Sequence, residues 1–340
     1  MTGINEVALL AGVSTATVSR ALSGNGHVSD TTKTRVKAAA VELGYVVSSN
    51  ASSLATGRTK NIGVVIPFLN RWFFSSVVEG AEQSLLSHGY DLTLYNLSGN
   101  GDERRSVFEH FLLRKRVDAV IAISLELTAS EVGSLLDMNK PIVGVGGPLP
   151  GVQTLSIDDV QVARLATEHL LSLGHRAIGH IGGNDLVEMD FHLPTNRRVG
   201  YEAALGARGI EVDPELFAEA DFTLQGGYRA AKQLLRDPRK RPTAVFAASD
   251  EMAIGTILAA RDLGLNVPGD LSVIGVDDHE LSDFFGLSTV AQFPAEQGRR
   301  AVEILMDQLH PARQTPGENI PLRFELIVRS STTAPRLVRV

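Results

Sequence analysis

The feature that most constrains the fold is a regular alternation of short apolar runs and longer helical stretches over residues 61–290. The runs are typical of β-strands and read IGVVIPF, YDLTLYNL, VDAVIAIS, PIVGVGG, TLSID, AIGHIGG, AVFAASD and LSVIGVDD. The helical stretches between them include residues 73–88, 102–113, 160–173 and 251–263. Alternation of this kind predicts parallel sheets covered by helices on both faces. Because so many strands exceed one such unit, we expect two similar α/β lobes.

The first 22 residues follow a different pattern, with small side chains and almost no charge. Two apolar stripes at helical spacing are interrupted by the sequence Gly-Val-Ser; their members are Val7, Ala11, Val18 and Ala21. Gly12 suits a turn that needs a positive φ, and Ser14 or Thr15 can cap the second helix. Two short helices joined by such a turn predict a helix-turn-helix unit.

A third helix is predicted over about residues 30–44, with Ser29 or Asp30 as its N-cap and Gly44 as its stop. The segment SSNASSLATGR at residues 48–58 follows it, and its composition is typical of a flexible linker. Asn50 can nevertheless cap a short helix. We therefore expect this segment to become helical only where a contact stabilises it.

Charge is distributed unevenly along the chain. The formal net charge is −7, but residues 1–60 hold six Lys and Arg against three Asp and Glu. That segment therefore carries +3 and the remainder −10. A basic N-terminal domain on an acidic body favours contact between that domain and nucleic-acid phosphates.

Composition excludes several classes of protein. The chain has no cysteine, which rules out a disulfide framework and thiolate metal ligands. Its N-terminus MTGINEV lacks the basic and apolar regions of a secretory signal, and no apolar run is long enough to cross a bilayer. We expect a cytoplasmic protein with no membrane partner.

Motifs for catalysis are missing. The sequence GVGGPLPG at residues 144–151 has Leu149 where a dinucleotide-binding loop needs its third glycine, and Pro148 would interrupt the following helix. His175 and His180 are five residues apart, so core and surface histidines are favoured over a metal pair. Acidic pairs end two strands, at residues 158–159 and 277–278, without a nucleophile and base beside them. We predict no enzymatic activity, no cofactor and no metal.

The N-terminal motif EVALLAGVSTATVSRALSGNGHVSDTTKTRVKAAAVELGY resembles the DNA-binding domain of the LacI/GalR family of transcriptional regulators. Later stretches are also similar, including HLLSLGHRAIGHIGG, NRRVGYEAAL and FELIVRSSTTAP, so that the resemblance covers residues 4–334. It implies a periplasmic-binding-protein-like body of two doubly wound parallel-sheet lobes, between which the chain crosses three times. The implied domains are a helix-turn-helix domain (1–47), a hinge (48–60) and an effector-binding and dimerisation domain (61–334). Within the last, the N-lobe spans about 61–160 and 291–322, and the C-lobe about 161–290 and 323–334.

The resemblance implies a sequence-specific regulator, a repressor, that binds a pseudo-palindromic operator in double-stranded DNA as a homodimer. The residues it places at the DNA are Ser14, Thr15, Ala16, Thr17, Ser19, Arg20, Asn25, Tyr45, Ala51 and Leu54. Arg20 suits guanine, because its guanidinium can donate two hydrogen bonds to O6 and N7. Leu54 is implied to wedge into the minor groove at a central C-G step. The hinge departs from the family pattern at Val47 and Ser52, where Pro and Arg are usual.

The resemblance also implies that a small, sugar-like effector binds between the lobes and changes operator affinity. The residues implied at this site are Phe73, Phe74, Arg197, Phe222, Asp250 and Asp277. An arginine and an aspartate can form charge-assisted hydrogen bonds with hydroxyl groups, while aromatic rings stack on an apolar sugar face. A structural ion pair between Arg197 and Asp277, and core packing for the phenylalanines, stay open as alternatives.

Two other functions stay open as well. A catabolite-type regulator would also bind a protein co-effector, and a stand-alone sugar-binding sensor would have the same lobes without the N-terminal helices. The chain ends soon after STTAP without leucine heptads, which favours a dimer over a tetramer.

Overall fold

The computed structural model describes residues 3–23, 27–45, 58–97, 101–112, 116–125, 127–183, 191–309 and 317–336. The chain divides into two compact units, an N-terminal one of residues 1–61 with residues 116–118, and a body that holds the rest. No helix in the described ranges is long and apolar enough to span a membrane.

The N-terminal unit contains three short helices, α1 (Ile4–Ala11), α2 (Thr15–Ser23) and α3 (Asp30–Glu42). Their shared core consists of Val7, Ala8, Ala11, Val18, Ala21, Val36, Ala39 and Ala40. Gly12 has a φ of +64° and ends α1, and the Ser29 side chain caps α3 by accepting a hydrogen bond from the Thr32 amide. The predicted helix-turn-helix is therefore present, with its small residues at the helix crossings.

The body contains two six-stranded sheets. The first has the order β11-β5-β4-β3-β1-β2 and the second β12-β10-β9-β8-β6-β7. The strands are β1 (Asn61–Ile66), β2 (Asp91–Asn96), β3 (Ala119–Ile123), β4 (Ile142–Val145), β5 (Gln153–Ser156), β6 (Ile178–Gly182), β7 (Phe217–Glu219), β8 (Ala244–Ala247), β9 (Ser272–Asp277), β10 (Ser288–Ala291), β11 (Asn319–Pro321) and β12 (Glu325–Ile327). The chain passes between the sheets after β5, β10 and β11, which gives the three crossings that the resemblance implies.

All eight predicted strands are present, and their pairing is parallel at the centre of each sheet. In the first sheet Val64 lies opposite Ile121 in the β1–β3 pair, and in the second Val245 lies opposite Val273 in the β8–β9 pair. Parallel pairing is not complete, because the edge strand β12 runs antiparallel to β10. The short strands β7, β10, β11 and β12 were not predicted, since three or four residues give a strand pattern only within a clear apolar run of the kind that marked β4 and β8.

Helices cover the sheets. In the body they are α4 (Trp72–Ser87), α5 (Gly101–Ser106), α6 (Ala129–Asp137), α7 (Asp159–Ser172), α8 (Leu193–Gly206), α9 (Leu224–Leu234), α10 (Asp250–Asp262), α11 (Ser282–Phe285) and α12 (Pro294–Gln308). The helix predicted over residues 102–113 is instead α5 followed by a π-helical turn, Val107–Phe111. Helices α4 and α12 pack closely against each other, because a Cβ atom at Gly80 of α4 or Gly298 of α12 would collide with the backbone of the other helix.

His175 and His180 both lie in the interior of the second lobe. The His180 ring stacks between Phe246 and Tyr201, with centroids 4.9 and 5.0 Å away. Burial lowers the pKa of His180 to about 4. Its Nε2 atom is buried without a hydrogen-bond partner among the described residues, so this imidazole serves packing in its neutral form.

Candidate functional site

The outward surface of α2 carries most of the predicted DNA contacts. Thr15, Ala16, Ser19 and Arg20 are exposed, whereas Val18 on the same helix is fully buried. The Nε atom of Arg20 donates a 3.1 Å hydrogen bond to the carbonyl of Ala16. Arg20 is exposed and uses only its Nε atom in this bond, so its terminal nitrogens can donate hydrogen bonds to a ligand.

Ser14 and Thr17 have a local role in the structure. The Ser14 hydroxyl accepts a hydrogen bond from the Thr17 amide at 3.2 Å and lies 2.9 Å from the Thr17 hydroxyl. Ser14 therefore caps α2. Tyr45 packs partly against the core of the N-terminal unit. The other predicted DNA contacts, Asn25, Ala51 and Leu54, lie outside the described residues.

A cavity of about 620 Å³ opens between the two lobes of the body. Its walls come from the segments that follow the carboxyl ends of parallel strands, including β1, β7, β8 and β9. Ligand crevices of open α/β sheets form at these ends. The cavity is lined by five of the six residues predicted for the effector, namely Phe73, Phe74, Arg197, Phe222 and Asp277.

Arg197 forms an ion pair, but with Asp159 rather than with Asp277. Its Nε atom lies 2.8 Å from Asp159 Oδ1, and the two side chains are 2% and 9% exposed. The Arg197 guanidinium also donates to the carbonyl of Ala248. Burial raises the pKa of Asp159, while Arg197 opposes that rise. The pair joins α7 to α8 and places one face of the guanidinium on the cavity wall.

Asp277 ends β9 and lines the cavity from the same lobe as Arg197. Its carboxylate accepts a hydrogen bond from the Gln292 side chain. Burial raises the pKa of Asp277 to about 6, although the nearby Arg197 lowers it. The backbone of Asp277 has a φ of +129° and that of Phe222 a φ of +56°. Positive φ values in residues other than glycine concentrate at ligand sites, where the surrounding fold holds the strain.

The aromatic residues form a wall. The rings of Phe73 and Phe74 meet edge to face at 5.4 Å, and Phe68 meets Phe74 in the same way at 6.0 Å. Phe73 and Phe74 also pack partly against the core of the first lobe. The core packing considered from the sequence is thus present, together with exposure of the same rings to the cavity.

Asp250 is not among the residues that line the cavity. It is fully buried, and its carboxylate accepts hydrogen bonds from the His279 amide (2.9 Å), the Ser282 hydroxyl (2.8 Å) and the Thr289 hydroxyl (2.7 Å). Since three donors already satisfy it, Asp250 ties the start of α10 to α11 and β10 beneath the cavity. The next residue, Glu251, lines the cavity instead.

Comparison with known proteins agrees with this architecture. Residues 3–48 match the model of bacterial regulatory proteins of the lacI family, and residues 167–332 match a periplasmic binding protein-like domain. The transcriptional repressor CytR of Escherichia coli (strain K12) is 35% identical over 335 residues, which cover 97% of this chain and 96% of CytR. The chain belongs to the LacI family.

Other members of the LacI family extend the match. The repressor PurR of Serratia proteamaculans (strain 568) is 37% identical over 337 residues, 97% of each protein. Among solved structures, the lac repressor dimer bound to operator and the anti-inducer ONPF aligns with a TM-score of 0.84 at 27% identity, covering 98% of this chain and 99% of that one. These matches confirm the predicted fold, and this LacI-family protein is a DNA-binding transcriptional regulator.

Sequence reasoning missed several groups of the cleft in this LacI-family regulator. The unpredicted charged or amide groups are Arg71, Asp159, Glu219, Asp221, Arg229, Gln233, Glu251, Gln292 and Gln297. Glu251 could have been predicted from the sequence. It comes directly after the run AVFAASD, where a strand ends and a helix begins, and such positions commonly line the ligand crevice of a parallel sheet. Arg71 and Gln292 carry no local signal, since only the tertiary fold brings their segments to the cavity.

Proposed function

We propose that this LacI-family regulator is a repressor that binds a pseudo-palindromic operator as a homodimer, and that a small polar, sugar-like effector changes its operator affinity. The effector site is supported by the 620 Å³ cavity between the lobes. Arg197 and Asp277 line it from one lobe, and the rings of Phe73 and Phe74 line it from the other. We infer that the chain acts by binding rather than by catalysis, in the cytoplasm, where its DNA target lies.

The proposal divides the chain into a DNA-binding domain (1–47), a hinge (48–60) and an effector-binding and dimerisation domain (61–334). Two solved relatives support the binding of a small ligand. One is described as a complex of the regulator CelR with cellobiose, at 31% identity and a TM-score of 0.71, covering 97% of this chain and 100% of that one. The lac repressor structure is described as bound to operator and to the anti-inducer ONPF.

In this proposal the symmetric dimer presents two copies of α2 to successive major grooves, so that the operator mirrors the protein's two-fold axis. Arg20, Thr15 and Ala16 contact base edges, while Thr17 and Ser19 contact phosphates. Leu54 of the hinge enters the minor groove at the centre of the operator. Sedimentation at micromolar concentration with DNA bound is expected to show a dimer, and a bound monomer would contradict the proposal.

The test of the effector site is a thermal-shift screen of metabolites on the wild type and on Asp277→Asn, followed by operator titration with each hit. A true effector stabilises the wild type more than the variant and changes operator affinity, with a typical coupling of about 1–3 kcal/mol. A hit that stabilises Asp277→Asn as strongly as the wild type would place the site elsewhere.

A further inference from the structure

The charge of the cleft is not balanced. Among the described residues that line it, carboxylates outnumber guanidinium groups by five to three. The carboxylates are Asp159, Glu219, Asp221, Glu251 and Asp277, and the guanidinium groups are Arg71, Arg197 and Arg229. An enclosed site with surplus negative charge favours ligands of the opposite sign.

The three arginines are occupied by partners in the protein. Arg197 is paired with Asp159. The terminal nitrogen of Arg71 donates a 3.0 Å hydrogen bond to the Asp221 carbonyl. Arg229 lies 3.9 Å from the Asp221 carboxylate. None of the three guanidinium groups is paired with Glu251 or Asp277.

Glu251 and Asp277 form no ion pair with a described residue, although Arg71 and Arg197 act on them at longer range. The Glu251 carboxylate makes no hydrogen bond and no ion pair with any described residue, and Asp277 accepts only from the Gln292 amide and the Asp250 backbone. Burial raises the pKa of Glu251 to about 7; Asp277 and Asp221 add to the rise, while Arg71 opposes it. Burial and carboxylate repulsion therefore outweigh the negative-charge preference of the α10 N-terminus, where Glu251 lies.

The cleft also has an aromatic lining. Phe68, Phe73 and Phe74 come from the first lobe, and Phe222 follows β7 of the second lobe. The face of an aromatic ring carries negative partial charge and attracts ammonium and guanidinium groups at about 6 Å or less. The Arg71 guanidinium shows this attraction already, since its central carbon lies 5.6 Å from the centroid of Phe68. The carboxylates and the aromatic rings of the cleft thus both favour positive charge.

We propose that the effector carries a cationic nitrogen, an ammonium or amidinium group, which binds against Glu251 and Asp277 while the rest of the ligand packs on the aromatic wall. This inference rests on the proposed effector site and specifies its ligand class. A neutral ligand of the same shape would leave both carboxylates without an ion pair. A cation gains Coulombic attraction to them in a partly desolvated site, and a cation that bears N–H groups also donates charge-assisted hydrogen bonds to them.

The test uses compounds matched in shape but not in charge, titrated calorimetrically into the full-length protein at about pH 7.5. The pairs are choline with 3,3-dimethylbutan-1-ol, benzamidine with benzamide, and glucosamine with glucose. In at least one pair we expect the cation to bind at least tenfold more tightly, the lower end expected for a hydrogen bond to a charged group. Glu251→Gln is expected to remove this preference, and Glu211→Gln, at an exposed carboxylate outside the cleft, to keep it.

A second measurement follows the pH. Choline and benzamidine keep their charge between about pH 6 and 8, whereas Glu251 ionises across this range. The affinity of the wild type for the cation should therefore increase several-fold as the pH rises from about 6 to 8, because Glu251 becomes negatively charged. Glu251→Gln should show a smaller increase. Equal binding of both members in all three pairs, binding of no member of any pair, or an unchanged preference in Glu251→Gln would overturn the cation site.

Operator titration separates this inference from the proposed function. A sugar without nitrogen that changes operator affinity through the cleft would support the proposed function and overturn the cationic effector. A cation that binds at Glu251 without changing operator affinity would support the cation site and overturn the regulatory role of the cleft.

Discussion

Arg197 and Asp159 form an almost fully buried ion pair at the wall of the cleft, with 2.8 Å between Nε and Oδ1. The two residues belong to α8 and α7, whose apolar faces share one core on the second sheet. The pair therefore connects the packing of the lobe to the surface of the cavity. A buried pair contributes little net stability, but removing one partner leaves an uncompensated charge.

Arg197→Ala should lower the free energy of unfolding by about 3–5 kcal/mol, because Asp159 would then be buried without its cation. The control is Arg164→Ala, which removes an exposed arginine on α7 whose partner is Glu168 at 2.7 Å. That change should lower stability by about 0.5 kcal/mol or less. Urea denaturation of both variants measures the difference, and equal losses would show that the buried pair has no special role.

Arg20→Ala should weaken binding to the specific operator by about 1–3 kcal/mol and relax the preference at one base pair of each half-site. Its Nε contact to Ala16 already orients the side chain along α2. Fluorescence anisotropy with operator and scrambled duplexes gives the ratio of affinities. Lys37→Ala, at an exposed lysine of α3, is the control and should keep that ratio. A wild-type ratio for Arg20→Ala would exclude the assigned contact.

Leu54→Ser should remove most of the specific affinity while nonspecific affinity survives. A serine cannot replace the apolar wedge that stabilises an unstacked base step. Footprinting on an operator obtained by selection from a random duplex library measures the effect. Ser53→Ala, at the neighbouring residue, is the control. A footprint of Leu54→Ser that matches the wild type would disprove the wedge.

The sequence predicted the architecture well because its signals are local and repeated. Each β-rich run that was named became a strand, and the helix-turn-helix was visible from the positions of Val7, Ala11 and Val18. The edge strand β12 was missed, because its three residues pair with β10 only through a long-range return of the chain.

The cleft was predicted in part. Arg197 and Asp277 were placed by family resemblance, and the cavity includes both. The partner of Arg197 could not be read from the sequence, since Asp159 is 38 residues away and meets it only when α7 and α8 pack. Asp250 and Glu251 show the same limit, because a shift of one residue at the start of α10 decides which carboxylate is fully buried and which lines the cavity.

His180→Phe should change how stability depends on pH. The folded-state pKa of His180, about 4, lies below the ordinary value of 6.5. Unfolded chains therefore bind a proton that the folded protein does not, and stability is lost as the pH falls from about 6.5 towards 4. The contribution of this one group is about 3 kcal/mol across the window. Denaturation at several pH values should show a smaller acid loss in the variant, with exposed His88→Phe as the control. Parallel acid losses in wild type and His180→Phe would refute this role.

The central claim is that this protein binds a specific duplex sequence as a symmetric dimer. Selection from a randomised duplex library with the full-length protein, followed by sequencing, tests it most directly. The account predicts enrichment of two inverted half-sites around a central C-G step, bound with a steep dependence on salt. Recovery of duplexes with no shared motif, or of a single half-site without its inverted copy, would contradict it.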